Sequence, residues 1–240
     1  MTAFIAEMVG TALLILLGDG VVANVLLKRS KGFKGDGNSG WIVIAFGWAM
    51  AVYIPVYCIH TFSGAHINPA VTLCLALTGK FSWTMVIPYF IAQLIGAIIG
   101  AFLVWLTYKK HYDEDNDPEM VLLTFCTMPA IKHYAYNLLT EIIGTFVLDF
   151  GILYLAWPPS GVGGLAALPV ALLILAIGLS LGGPTGYAIN PARDLGPRIM
   201  HAILPIRGKR DSGWAYAWVP IVGPFIGAVL AAGAYMLLGH

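Results

Sequence analysis

The chain has 240 residues, of which 59% are hydrophobic and 10% are charged. Soluble domains carry about 25% charged residues, so this composition excludes a soluble globular protein. Thirteen basic and twelve acidic residues give a net charge of +1, which gives no reason to expect nucleic acid as a partner. Since each bilayer crossing needs about 20 apolar residues, the chain has room for about six spans, and we expect one membrane domain over residues 1–240.

Apolar runs separated by polar segments predict six membrane-spanning helices. They cover residues 3–27, 41–59, 83–108, 136–157, 163–181 and 215–238. The first run is too long for a cleaved signal peptide and contains Glu7 near its start, so we expect it to remain as a span. Between the fourth and fifth runs, the segment 158–161 (PPSG) predicts a short turn.

Two further apolar segments, 67–78 and 189–204, are too short to cross a bilayer, and each follows a glycine-containing turn. Apolar segments of roughly 10 to 14 residues are typical of re-entrant loops. Non-helical backbone at membrane depth is tolerated only where protein or a water-filled cavity surrounds it. The two segments therefore predict a cavity inside the helix bundle.

The two halves of the chain repeat each other. The segment 6–11 (AEMVGT) returns as 140–145 (TEIIGT), and 64–70 (GAHINPA) returns as 186–192 (GYAINPA). Each half, about 1–110 and about 134–240, contains three predicted spans and one re-entrant segment. Because three is an odd number, the halves must lie in opposite orientations, as in inverted repeats that build a site near the membrane midplane.

The repeated Asn-Pro-Ala triplets predict where two short helices begin. Asn is a strong helix N-cap, and Pro is favoured at the first helical position. We therefore expect helices to start at two triplets, Asn68-Pro69-Ala70 and Asn190-Pro191-Ala192. In inverted halves their positive dipole ends meet near the bilayer centre, where they repel cations while the Asn amides donate hydrogen bonds to neutral oxygens. This pattern predicts a pore for small neutral solutes that excludes protons and ions.

The segments 63–71 (SGAHINPAV) and 185–194 (TGYAINPARD) resemble the two signature loops of the aquaporin family. Asp194, Arg198 and the Pro-Ile pair at 220–221 resemble its aquaglyceroporin, or glycerol facilitator, branch in bacteria. The resemblance implies an all-α membrane protein with six transmembrane helices and two re-entrant half-helices. It also implies a homotetramer in the plasma membrane that needs no cofactor and no metal.

The resemblance further implies which residues line the pore. Its narrowest part is expected at three residues, Arg193, Tyr187 and Gly178. The fourth position is open: the match of 47–53 to the family's second span favours Ile44, whereas counting back from Asn68 without a gap gives Trp48. The backbone carbonyls expected to accept hydrogen bonds along the pore are those of Gly64, Ala65, His66, Gly186, Tyr187 and Ala188.

Several acidic residues fall within the predicted membrane segments. We expect Glu7 and Glu141 to be structural carboxylates that accept hydrogen bonds from N–H groups of the re-entrant loops. Asp194 is expected to have a structural role near the start of its half-helix. For Asp19 and Asp149, a polar contact inside the bundle and a place in a wider vestibule both fit.

Arg193 is interpreted differently from these carboxylates, because an ionisable residue in an apolar segment is a functional candidate by default. A purely structural ion pair with Asp194 is the alternative. His66 is expected to contribute its carbonyl, and a role as a pH gate is less favoured.

The glycines predict close packing between helices, and the cysteines predict little chemistry. The glycines expected at helix contacts are Gly10, Gly96, Gly100, Gly144 and Gly227. The cysteines have no metal-ligand spacing and are expected to be small buried residues. They are Cys58, Cys74 and Cys126.

The function classes that remain open are mainly forms of transport. A channel-like fold used as an adhesion or scaffold protein is a further class, and the intact Arg193 and both Asn-Pro-Ala triplets argue against it. No nucleophile and base stand at a motif spacing, so we do not expect an enzyme. A passive channel is favoured, and its candidate solutes are glycerol and similar polyols, water, urea, dihydroxyacetone, hydrogen peroxide and protonated lactic acid. One alternative is a coupled transporter, since inverted repeats with broken helices also build carriers. Another alternative is a water-selective channel.

The distribution of charge conflicts with the orientation that the resemblance implies. If both termini are cytoplasmic, most basic residues lie in outer loops, and Lys80 is the one in an inner loop. The positive-inside rule predicts the reverse. We follow the signature loops, because they are more specific than a charge count.

Overall fold

The structure, a computed structural model, describes residues 1–33, 40–115, 117–155 and 163–239, and over these ranges it contains helices and no strand. The helices are α1 (Ala3–Leu26), α2 (Gly40–Ser63), α3 (Pro69–Leu77), α4 (Val86–Thr107), α5 (Lys109–Glu114), α6 (Pro118–Leu123), α7 (Tyr134–Tyr154), α8 (Leu168–Leu181), α9 (Pro191–Ile203) and α10 (Val219–Leu237). Short 3₁₀ turns precede α4 at Trp83–Met85 and α8 at Gly163–Ala167.

Five helices are long and apolar enough to cross a membrane on their own: α1, α2, α4 with its 3₁₀ turn, α7 and α10. The predicted fifth span is shorter, because α8 has 14 residues and the 3₁₀ turn before it has 5. At rises of about 1.5 Å and about 2.0 Å per residue, the two follow about 31 Å of chain. Since the hydrocarbon core is about 30 Å thick, they provide the sixth crossing.

Some helix ends differ from the prediction. α2 continues to Ser63, beyond the predicted end at residue 59, and runs directly into the first re-entrant loop. α10 begins at Val219 rather than at residue 215, because Pro220 occupies its first turn, where its missing N–H is no loss. The predicted end of the fourth span at Trp157 and the turn at 158–161 lie outside the described residues.

The helices pack in matching pairs in the two halves. α1 packs on α4 as α7 packs on α10, and α1 packs on α2 as α7 packs on α8. The short helices cross between the halves, since α3 packs chiefly on α10 and α9 chiefly on α4. α2 and α8 contact each other as well. Each half therefore holds the short helix of the other half.

Glycines allow some of these helices to approach each other backbone to backbone. A Cβ atom on Gly96 in α4 would lie 2.2 Å from the backbone oxygen of Met8 in α1. A Cβ atom on Gly227 in α10 would lie 2.6 Å from the backbone oxygen of Ile142 in α7. These positions correspond, because 93–97 (QLIGA) returns as 224–228 (PFIGA), so the same backbone-to-backbone approach occurs twice.

The connection between the halves contains ion pairs. Its acidic residues contact basic residues from three loops, and the pairs are Lys28 with Asp115, Arg29 with Glu114, Lys109 with Asp113 and Arg210 with Glu119. Surface pairs of this kind contribute up to about 1 kcal/mol each. Four of the basic residues that conflict with the positive-inside rule thus have acidic partners on the same side of the protein.

The cysteines match the expectation in part. Cys74 and Cys126 are buried. Cys58 is exposed, which makes the prediction of burial wrong for this residue. It follows the exposed Tyr57 on α2, so both side chains lie on the side of that helix that faces away from the bundle.

We expect the substitution Gly96→Ala to destabilise the protein by about 1 to 3 kcal/mol, because the added methyl group overpacks the contact between α1 and α4. The matched control is Gly233→Ala in α10, where an added Cβ atom has nothing within 4 Å. The thermal midpoint of the protein in detergent, followed by tryptophan fluorescence, measures the difference. Equal midpoints for the two variants would contradict the close approach.

Candidate functional site

Each of the two short helices inside the bundle is capped by an asparagine. The Oδ1 atom of Asn68 accepts a hydrogen bond from the N–H of Ala70 at 2.9 Å. The Oδ1 atom of Asn190 accepts from the N–H groups of Ala192 at 3.0 Å and Arg193 at 3.1 Å. With a proline at the first helical position, both triplets start a helix at the residue where the sequence predicts it.

The two helix starts are also bonded to each other. The Nδ2 atom of Asn68 donates to the backbone oxygen of Ile189 at 2.8 Å, and that of Asn190 donates to Ile67 at 2.9 Å. An amide NH₂ group has two N–H bonds, and one on each asparagine remains available. Both asparagines line a cavity, so these two N–H groups are placed to donate to a solute.

The loops before the short helices have unusual backbone angles. In the first loop φ is +55° at Ala65 and +45° at Ile67, and in the second it is +39° at Tyr187 and +41° at Ile189. Positive φ is an outlier for a bulky or β-branched residue and costs about 1 to 3 kcal/mol. Such angles persist only where other interactions hold them.

Glu7 holds the first loop from α1. Its carboxylate accepts hydrogen bonds from the N–H groups of His66 at 2.9 Å and Ile67 at 2.7 Å, and from the hydroxyl of Ser63 at 2.7 Å. The Nε2 atom of Gln93 donates a fourth, at 2.8 Å. The buried carboxylate thus satisfies loop donors that have no water to bond to.

Glu141 holds the second loop in the same way from α7. It accepts from the N–H groups of Ala188 at 3.1 Å and Ile189 at 2.8 Å, and from the hydroxyl of Thr185 at 2.7 Å. In the repeat the place of the glutamine on α4 is taken by Pro224, which has no side-chain donor. Glu141 therefore has one donor fewer than its counterpart.

The backbone carbonyls of these loops fall into two groups, according to whether they accept a hydrogen bond within the protein. The oxygen of Gly64 accepts from Nδ1 of His60 at 3.2 Å, so it is engaged within the protein. The other five predicted pore carbonyls accept no hydrogen bond from a described residue, and they belong to Ala65, His66, Gly186, Tyr187 and Ala188. All five residues line the cavity, which makes their oxygens acceptors for solute hydroxyl groups.

The cavity itself has a volume of about 300 Å³ and two kinds of wall. One wall carries the loop carbonyls, both asparagines and Arg193. The other is apolar and is formed mainly by Leu14, Val52, Val56, Leu148, Ile152, Val170 and Ile174. A solute with hydroxyl groups along one edge and carbon along the other matches both walls.

Arg193 lines this cavity from the first turn of α9. Its Nη1 atom is 3.3 Å from the carboxylate of Asp19 and donates to the backbone oxygen of Phe125, also at 3.3 Å. The guanidinium carbon lies 4.2 Å from the ring centroid of Trp48, a cation–π contact. No described residue accepts from its Nε or Nη2 atoms, so these remain as donors.

Trp48, not Ile44, lies beside Arg193. Trp48 lines the cavity, whereas Ile44 is a buried residue of the hydrophobic core one helical turn away. Because α2 runs unbroken into the first loop, counting back from Asn68 needs no gap. The match of 47–53 to the family's second span favours Ile44 only if this chain has about four extra residues, roughly one helical turn, before Ser63.

Trp41 contacts two of the predicted pore residues, Gly178 and Tyr187, and the sequence analysis did not single it out. Its Nε1 atom donates to the backbone oxygen of Gly178 at 3.0 Å, and its ring packs edge-on against Tyr187 with centroids 5.8 Å apart. It stands seven residues before Trp48, two helical turns away on the same face of α2. The spacing of the two tryptophans in the sequence could have indicated that both lie on this face of α2.

Gly178 makes room for Tyr187 and does not line the cavity itself. A Cβ atom on this glycine would lie 2.9 Å from Cζ and 3.0 Å from Oη of Tyr187. The Oη atom is buried and has no hydrogen-bond partner among the described residues. A larger residue at position 178 would thus displace the tyrosine ring.

Asp194 pairs with Arg198 on the same helix, and not with its neighbour Arg193. The carboxylate of Asp194 accepts from Nε of Arg198 at 2.8 Å and from Nη2 at 3.0 Å. It also accepts from the N–H and the hydroxyl of Thr127, at 2.9 Å and 2.7 Å. Arg198 is fully buried and donates further to the backbone oxygens of Thr127, Ser212 and Gly213. This saturated pair ties two loops to α9.

The two aspartates in α1 and α7 differ in their surroundings. Asp19 contacts Arg193, as described, and is fully buried behind it. Asp149 is also buried, and neither of its carboxylate oxygens has a hydrogen-bond partner among the described residues. Neither aspartate lines the cavity, so the vestibule role considered for them is not seen.

A bundle of membrane-crossing helices, with two short helices meeting at a cavity of this size, defines a membrane channel. The chain belongs to the major intrinsic protein family, whose model matches residues 1–235. This membership makes it a channel protein of the aquaporin fold and not an enzyme.

Known relatives agree with this assignment. The chain is 57% identical over 241 residues to a probable glycerol uptake facilitator protein from Thermotoga maritima, covering 98% of each. It is 41% identical over 233 residues to a D/L-lactic acid transporter from Lactiplantibacillus plantarum, covering 95% of this chain and 94% of the relative. The structure of the aquaglyceroporin from Plasmodium falciparum matches with a TM-score of 0.83 at 32% identity, covering 97% of this chain and 93% of that one. The predicted fold and the aquaglyceroporin resemblance are confirmed.

We expect Glu141→Gln to lower both solute flux and stability, because an amide NH₂ group would face N–H and O–H donors of the second loop. A buried donor left without an acceptor costs about 1 to 3 kcal/mol. The control is Glu119→Gln, which removes a charge from a surface ion pair. Osmotic water flux in proteoliposomes and the thermal midpoint are the measurements. Normal values of both for Glu141→Gln would mean that the carboxylate does not hold the loop.

Proposed function

We propose that this chain conducts glycerol and similar short polyols, together with water, by passive diffusion and excludes protons and ions. The observation that carries the proposal is the cavity with one polar and one apolar wall. The polar wall offers the two asparagine amides and five loop carbonyls, which match hydroxyl groups that both donate and accept. The apolar wall takes the carbon backbone of the polyol without loss of hydrogen bonds.

Proton and cation exclusion follows from the helix starts. Two helix N-termini meet at the cavity, and each carries roughly half a positive charge. The asparagine amides donate and cannot relay a proton onward in a chain of water molecules. Because Arg193 has Asp19 beside it, the helix dipoles supply most of this positive potential.

Protonated lactic acid is a second candidate solute. It carries a hydroxyl and a carboxyl group on one side and a methyl group on the other, so it matches the same two walls. The relative from L. plantarum whose name is D/L-lactic acid transporter supports its inclusion. Urea, dihydroxyacetone and hydrogen peroxide are neutral solutes no larger than glycerol, and they suit the same cavity. A water-selective channel is disfavoured because Gly178 leaves room for the Tyr187 ring, which a larger residue would push toward the cavity.

We further propose that residues 1–240 form one channel domain and assemble as a homotetramer in the plasma membrane, with one pore in each chain. Family membership and the bacterial relatives support the location and the assembly. Large apolar side chains on the outer surface, such as Ile42, Ile87 and Leu237, support contact with lipid or with neighbouring subunits.

The proposal is tested with the purified chain in liposomes. We expect glycerol flux, measured by stopped-flow light scattering, to rise linearly with the gradient and to need no ion gradient. A pH-sensitive dye inside the same vesicles should show no proton flux above that of empty liposomes. Saturation of glycerol flux, or its dependence on a sodium or proton gradient, would instead favour a coupled transporter.

We expect Gly178→Ala to reduce glycerol flux several-fold more than water flux. The added methyl group would lie within about 3 Å of the Tyr187 ring and shift it into the narrow part of the cavity. Gly20→Ala in α1, where an added Cβ atom meets nothing within 4 Å, is the control. If Gly178→Ala reduces both fluxes equally while reconstitution is normal, Gly178 does not set the size of the opening. Gly178→His should produce a larger effect of the same kind.

A further inference from the structure

We propose that Asp19 is a positioning residue that cancels the charge of Arg193, so that the narrow part of the pore donates hydrogen bonds without attracting anions. The inference rests on the proposed function as a neutral-solute channel. It starts from one contact, in which the carboxylate of Asp19 lies 3.3 Å from Nη1 of Arg193.

The pair of Asp194 and Arg198, which lies entirely on α9, is an example of a purely structural ion pair in this protein. The carboxylate of Asp194 accepts four hydrogen bonds, and Arg198 donates to carbonyls as well as to that carboxylate. By contrast, no described residue donates a hydrogen bond of good geometry to either oxygen of Asp19. Asp19 therefore contributes chiefly its charge.

Asp19 is placed so that its charge acts on Arg193 while a solute in the pore cannot contact it. It is 0% exposed and does not line the cavity, so a solute in the pore does not touch it. It contacts the Nη1 atom of Arg193, which also donates to Phe125. The Nε and Nη2 atoms have no acceptor among the described residues and remain for solute oxygens.

This arrangement addresses a problem that a lone guanidinium would create. An unpaired cation in a narrow, partly apolar passage attracts anions strongly, because the local dielectric constant is low. A small carboxylate would bind both guanidinium nitrogens and obstruct the pore, since such bidentate pairs are the strong ones. With Asp19 behind it, the guanidinium keeps its donors while the net charge of the pair is zero.

The test compares glycerol flux in two salts. Vesicles that contain the full chain are prepared at pH 8 in sodium chloride or in sodium lactate of equal ionic strength on both sides. At that pH lactate is almost entirely ionised, because carboxyl groups titrate near pH 4. We expect wild-type glycerol flux to be equal in the two salts. In Asp19→Asn it should be at least about threefold lower in lactate, owing to the uncompensated guanidinium.

Two further variants separate charge compensation from a general structural role. Asp149→Asn removes the other buried aspartate and should be as insensitive to lactate as the wild type. The double variant Asp19→Asn with Arg193→Gln has no charge at this place and should lose the lactate effect. It also provides the readout if Asp19→Asn alone fails to reconstitute, since recovery of assembly in the double variant shows that the unpaired guanidinium caused the failure.

The outcomes are distinct. Equal flux of Asp19→Asn in both salts would overturn the proposal, and so would lactate inhibition that persists in the double variant. A failure of the double variant to assemble, alongside a failure of Asp19→Asn, would also overturn it, because the requirement for Asp19 would then not depend on Arg193. If the wild type conducts no glycerol in chloride, the proposed function itself is wrong.

Discussion

The structure depends on the need to satisfy backbone polar groups in the middle of a membrane. Two loops break the helical pattern there, and no bulk water reaches their N–H groups. Glu7 and Glu141 meet that need from inside α1 and α7, and they hold φ angles that Ile67 and Ile189 would not adopt freely. Once the loops are fixed, their carbonyls and the two helix starts are fixed as well, and so is the wall of the pore.

The two halves share this framework and differ where solutes are selected. Asn68 and Asn190 correspond and bond to the opposite loop in the same way. Three positions beyond each asparagine, the first half has Val71 and the second has Arg193, and both line the cavity. Repetition therefore builds the frame, while the unequal residues give the second half the one arginine that lines the cavity among the described residues. Asp19 of the first half contacts that arginine.

Much of this could be predicted from the sequence, because the repeat is strong and the Asn-Pro pairs have a physical meaning at a helix start. The pairing of Glu7 and Glu141 with loop N–H groups also follows from buried carboxylates near loops that need acceptors. The contact of Asp19 with Arg193 could not be predicted, since it joins residues 174 positions apart that no motif links. The choice between Ile44 and Trp48 depended on whether α2 contains an extra turn, which the hydrophobic pattern does not reveal.

The exchange of short helices between the halves has a consequence for how the protein is made. α3 ends at Leu77, and its main packing partner α10 begins at Val219, more than 140 residues later in synthesis. When α3 leaves the ribosome it meets only its own half, and the alanine-lined seam formed by Ala228, Ala231 and Ala232 does not yet exist. Until the last helix is inserted, the first re-entrant loop is therefore held only by contacts within its own half, such as those of Glu7 and Gln93. Biogenesis of the first half is completed only by the final segment of the chain.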